Sequence, residues 1–161
     1  MATQTIPMPS EWIRRYQSNP PINVKKMAED LGLKVLEFSE MPVDASGKLY
    51  PDSSSPSGWS IGVNARDTFT RKRFTIAHEI AHFLLHRNSI RGAILDDTLY
   101  RSTLMSSAQE TEANKFAADI LMPYGLLEQF VERGVMSVDE LAQKFGVSSQ
   151  AMSIRLGIPL P

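Results

Sequence analysis

The chain contains no cysteine. Disulfides, cysteine-rich zinc knuckles and thiol nucleophiles are therefore excluded, and any bound metal must rest on histidine and carboxylate ligands. The absence fits a reducing compartment, so the expected location is the cytoplasm. Long apolar runs are missing as well. Nothing approaches the roughly 20 residues of a membrane span, and the opening Met-Ala-Thr-Gln-Thr-Ile-Pro-Met-Pro has neither the basic nor the apolar region of a secretory signal. Neither sign of charge is in excess: 17 Lys and Arg face 18 Asp and Glu, for a formal net charge of −1. The overall balance thus offers no electrostatic attraction to nucleic acid or to a membrane surface. Histidine is scarce, with three in 161 residues, yet all three fall within nine positions, at 78, 82 and 86.

The remaining composition, 42% hydrophobic and 22% charged, is that of a globular protein large enough for one compact core. Glu11 to Tyr16 predicts a short helix, stopped at Asn19-Pro20-Pro21. Asn23 caps a second helix from Val24 to Leu31, closed by Gly32. Leu33 to Phe38 and Gly47 to Tyr50 read as strands, separated from a third by the Ser- and Pro-rich stretch 51–58. In that third strand Trp59, Ile61 and Val63 alternate with Ser60, Gly62 and Asn64, the pattern of a half-buried strand.

A long helix runs from about Thr68 to His86, followed by a connection, Arg87 to Ser106, long enough to suggest a functional loop. Ser107-x-x-Glu110 has the form of a capping box opening a helix that Pro123 ends. Another helix reaches Arg133. A second box, Ser137-x-x-Glu140, starts Val138 to Phe145, and after Gly146 the residue Ser148 caps Ser149 to Leu156. Helix, glycine turn, helix is a helix-turn-helix outline. The expected architecture is α+β, helix-rich with a small, mainly antiparallel sheet. Residues 1–21 form an N-terminal extension, 22–133 the main domain and 134–161 a helix-turn-helix-like segment packed on it.

The histidines lie in Phe74-Thr-Ile-Ala-His78-Glu79-Ile-Ala-His82-Phe-Leu-Leu-His86. Four-residue spacing sets successive imidazoles one turn apart on one helix face, as two ligands of one ion require. His78 and His86 are roughly 12 Å apart along the axis, too far to share a zinc at bonds of about 2 Å. Only the 78/82 pair has an adjacent carboxylate. His78 and His82 are therefore candidate ligands and Glu79 the candidate base of a His-Glu-x-x-His site; His86 is left a packing or hydrogen-bonding role. A catalytic zinc takes a third protein ligand, here necessarily Asp or Glu. Asp96, Asp97, Glu110 and Glu112 are the candidates, and periodicity does not choose between the two glutamates.

Val63-Asn64, Arg73 to His86 and the stretch Glu110-Thr-Glu112-Ala113-Asn114-Lys-Phe116-Ala117-Ala118-Asp-Ile-Leu121-Met122-Pro123 together resemble the ImmA/IrrE family of metallopeptidases. The likeness extends over roughly residues 22 to 157. It implies a zincin-like fold, a zinc cofactor and Glu112, in Glu-Ala-Asn, as third ligand. It also implies bacterial or phage-related proteins paired with Xre-type helix-turn-helix repressors or antitoxins, which they cut or inactivate in stress, mobile-element or toxin–antitoxin systems. Tyr50, Tyr100 and Tyr124 are candidate oxyanion donors, and Asn114 and Asp119 candidate partners of a zinc-bound imidazole.

Two other classes compete with the peptidase. One is a zinc-containing toxin or anti-repressor acting mainly by binding. The other is a DNA-reading regulator using Ser148, Ser149, Gln150 and Arg155, although a single arginine in that helix predicts weak phosphate affinity. The basic run Arg71-Lys72-Arg73 reads as a solvated face.

Overall fold

A computed structural model of the chain describes residues 9–42, 45–93, 105–134 and 137–159. Among these, the elements in chain order are α1 (Pro9–Arg14), α2 (Val24–Asp30), β1 (Lys34–Phe38), β2 (Gly47–Pro51), β3 (Trp59–Asn64), α3 (Phe69–Ala93), α4 (Ser107–Leu121), α5 (Tyr124–Glu132), α6 (Val138–Phe145) and α7 (Ser149–Leu156). Caps explain most boundaries. The Asn23 side chain accepts from the Lys26 amide at 3.0 Å to open α2, and Gly32 follows it at φ +83°. Ser137 and Ser148 accept at 3.0 Å from the Glu140 and Ala151 amides to open α6 and α7.

The sheet has the order β1-β3-β2, so the last strand in sequence is central. β3 pairs parallel with β1 (Lys34 opposite Ser60) and antiparallel with β2 (Gly47 opposite Val63). The sheet is thus mixed rather than mainly antiparallel. The half-buried reading of β3 is corrected too, because all six residues are buried. Its polar alternates are covered by other parts of the chain: Ser60 donates to Asp52 at 2.7 Å, Asn64 to the Ala45 carbonyl at 3.0 Å, and the Phe38 ring lies over Gly62. A strand paired on both edges and covered on both faces satisfies its backbone fully.

α3 continues seven residues past His86, into the first third of the stretch expected to be a connection. It packs against α2, β2, β3 and α4, which is why it is poorly amphipathic: a helix touched on several sides has no single wet face. One core joins α2 (Met27, Ala28), the sheet (Leu49, Trp59, Ile61), α3 (Ala77, Ile80), α4 (Ala117, Ile120) and the C-terminal helices (Leu141, Phe145, Met152). Buried Arg73 ties α3 to α6, donating to the Gly146 carbonyl at 3.0 Å and the Phe145 carbonyl at 3.2 Å. The basic run is thereby split: Lys72 pairs with Glu37 at 2.5 Å, and Arg71 reaches Ser46 at 2.8 Å and Asp67 at 3.5 Å. Among the described residues no helix is long and apolar enough to cross a membrane.

Candidate metal centre

The centre is built where the first turns of α4 cross α3. His78 and His82, one turn apart on α3, direct their Nε2 atoms to a common point, 3.0 Å from each other. One carboxylate closes the triangle: Glu110 Oε2 lies 3.2 Å from His78 Nε2, and Oε1 lies 3.1 Å from His82 Nε2. Three donors on a tetrahedral zinc with bonds of about 2.0–2.1 Å would sit about 3.3 Å apart. The shortest donor separations, to one carboxylate oxygen from each histidine, are within a few tenths of an ångström of that, and two imidazoles with one carboxylate are a donor set suited to zinc. These residues therefore fit the ion.

The carboxylate beside the pair is thus Glu110, and the structure departs from the assignment of Glu112. The assignment of Glu112 rested on resemblance, and the cap of α4 also begins one residue earlier than expected. The capping box is formed by Ser106 and Gln109, not by Ser107 and Glu110: Ser106 Oγ accepts from the Gln109 amide at 3.1 Å, and Gln109 Oε1 accepts from the Ser106 amide at 3.1 Å. Glu110 faces the histidines. Glu112 lies roughly 200° further around the helix and meets His86 instead, with Oε1 2.5 Å from its Nε2. His86 is buried and its Nδ1 lies 2.9 Å from His82 Nδ1. His86 is thus hydrogen-bonded on both ring nitrogens, in keeping with the role expected of it.

Glu79, fully buried, lines the same cleft as His78 and Glu110, a space of about 630 Å³ bordered by β2, α3, α4 and α7. Gly47 makes this wall close-packed. A Cβ there would collide with the Thr75 methyl and stand 2.9 Å from the Gly62 carbonyl oxygen and 3.7 Å from Glu79 Cγ. A glycine inside a strand pattern is the sequence signal of such a close approach. Thr75, Ser46, Gln150 and Ile154 also line the cleft, and sequence reasoning did not single out Thr75, Ser46 or Ile154. Ile154, on α7, is 74% exposed.

Of the remaining candidates, Asn114 lines the cleft. Asp119 does not: it pairs with Arg155 at 2.9 Å. Tyr50 packs beside Phe38, with ring centroids 6.1 Å apart. Tyr124 lies under the Arg155 guanidinium, 3.7 Å from ring centroid to Cζ. Neither tyrosine is part of the cleft lining. Tyr100, Asp96 and Asp97 lie outside the described residues.

Comparison with known proteins places the chain in a family. The family described as the IrrE N-terminal-like domain, peptidase M78, matches residues 28–157. The radiation response metalloprotease IrrE of Deinococcus deserti is 30% identical over 122 residues, 76% of this chain and 38% of that protein. The chain therefore spans well under half the length of that relative. A solved structure of a Mycobacterium tuberculosis transcriptional regulator aligns with a TM-score of 0.63 at 19% identity, over 92% of this chain and 46% of that one, a likeness of fold alone. With 130 contiguous positions matched, 28 through 157, and the His-His-Glu cluster inside them, the chain belongs to the ImmA/IrrE family of M78 peptidases.

Proposed function

We propose that this chain is a zinc-dependent endopeptidase that cleaves or inactivates a partner regulatory protein, an Xre-type helix-turn-helix repressor or antitoxin. The observation that carries the reading is the convergence of His78, His82 and Glu110 within 3.2 Å of one another beside buried Glu79 on one cleft wall. A zinc ion held by the three would polarise the scissile carbonyl and bring the pKa of a bound water toward about 7. Glu79, which follows the first of the two histidines in sequence and lines the cleft with His78 and Glu110, is the carboxylate that would carry a proton from the attacking water to the leaving amine. β2 is an edge strand whose Gly47 borders the cleft. An extended polypeptide can pair with such an edge through its backbone, which favours a protein substrate over a small molecule.

The DNA-reading alternative is weakened by Arg155, the one basic residue of α7. Its Nε donates to the Met122 carbonyl at 2.9 Å and its guanidinium pairs with Asp119. The test is to mix the purified chain with the repressor encoded beside it. Zinc-dependent fragments that vanish in Glu79→Gln support the peptidase. A stable uncut complex supports a binder, and a salt-sensitive shift of duplex DNA by the chain alone supports a regulator.

A further inference from the structure

We infer that His86 and Glu112 form a positioning relay that fixes the ring orientation and tautomer of His82 and thereby sets the affinity of the metal centre. The inference rests on the reading of His78, His82 and Glu110 as the ligands. His82 directs Nε2 into the donor triangle, so as a neutral ligand it carries its hydrogen on Nδ1. That nitrogen lies 2.9 Å from His86 Nδ1, which must therefore accept. His86 then carries its own hydrogen on Nε2, which donates to Glu112 Oε1 at 2.5 Å. Each step determines the next, and the order of hydrogens runs one way, from His82 through His86 to the carboxylate. Both rings are buried, at 0% and 6% exposure, so water does not replace the partners.

Metal-bound imidazoles are commonly steered by a partner on the other ring nitrogen, and loss of such a partner lowers metal affinity by about 10–100-fold. Here the partner is a second histidine, itself held by a carboxylate from another helix. The relay joins α3 to α4 on the side of the crossing opposite Glu110, so both glutamates of Glu-Thr-Glu serve the site: Glu110 as ligand, Glu112 two bonds removed.

Zinc affinity of the full chain, measured by competition with a chromophoric chelator, and the visible spectrum of the cobalt-substituted protein test this. His86→Leu removes the acceptor and is expected to weaken zinc binding by about 10–100-fold and shift the cobalt bands. His86→Asn keeps an acceptor oxygen near the position of Nδ1 and is expected to restore most of the affinity. Glu112→Gln still accepts from His86 and should remain close to wild type, whereas Glu112→Ala should weaken binding by about tenfold. Glu112 is 59% exposed in its side chain, so these two variants test the relay even if His86→Leu does not fold. Wild-type affinity and spectrum in both His86→Leu and Glu112→Ala would overturn the relay while leaving the centre intact. Glu112→Gln losing zinc altogether, with Glu110→Ala retaining it, would instead overturn the ligand set on which the relay rests.

Discussion

Two glutamates separated by one residue have opposite fates because of their angles around α4. The buried stripe passes through Ala113 and Ala117; Glu110 lies about 60° from Ala113 on one side and Glu112 about 100° on the other. Both flank the contact with α3: Glu110 meets His78 and His82, and Glu112 meets His86. Glu110→Ala is expected to lower zinc affinity by more than about 100-fold, beyond the effect of losing an outer partner, measurable by isothermal titration with zinc. Glu79→Gln is expected to bind zinc with wild-type stoichiometry yet lose about 10²–10⁴-fold in peptide hydrolysis, the range for a positioned acid–base group. Equal loss of zinc in Glu79→Gln would show that Glu79 serves the ion rather than the proton.

At the scale of elements, the Ser106–Gln109 box fixes where α4 begins. Ser106→Ala removes the cap and should cost about 0.5–2 kcal/mol, a fall in Tm of about 2–4 °C per kcal/mol for a chain of this size. Ser107→Ala, exposed and outside the box, should stay within about 0.5 kcal/mol. The reverse ranking in thermal unfolding would restore the Ser107-Glu110 register. Gly47→Ala forces β2 away from Thr75 and the Gly62 carbonyl, an overpacking cost of about 1–3 kcal/mol by denaturant titration.

The 51–58 turn contributes a pH dependence. Asp52 is held down from 3.8 to about 2, first by the Ser54 hydroxyl, then by the Ser60 hydroxyl and the Ser54 amide. Its folded pKa is depressed, so its contribution is present above about 3.8 and lost as pH falls toward about 2. Asp52→Asn should flatten the fall in stability between those values, read from denaturant midpoints at stepped pH.

For the whole molecule, a metal held by His78, His82 and Glu110 would couple binding to stability, because these residues come from two helices that must be packed together. Zinc bound to the folded state alone adds about 4 kcal/mol at a free concentration about 1,000 times its Kd. Tm should therefore rise with zinc, return on adding EDTA, and be insensitive to zinc in Glu110→Ala. A zinc-independent Tm in the wild type would mean that no ordered site forms. The C-terminal helices belong to the same body: Arg73 is buried against the end of α6, and α7 supplies Gln150 and Ile154 to the cleft. The helix-turn-helix-like segment is also a wall of the candidate site.

Local information was enough for the helical pair His78 and His82, the adjacent Glu79, the caps at Asn23, Ser137 and Ser148, and the exact span of α6 and α7. These depend on spacing along one helix or on side chains bonding amides three residues away, interactions that close within a turn. Resemblance over the long stretch added the family. Three-dimensional packing decided the rest. The order β1-β3-β2 and the full burial of β3 depend on segments far apart in sequence. The third carboxylate depends on which face of α4 meets α3, and adjacent positions on a helix differ in direction by about 100°. A helix states its own faces in sequence; which of them meets a given partner is fixed only when both are packed.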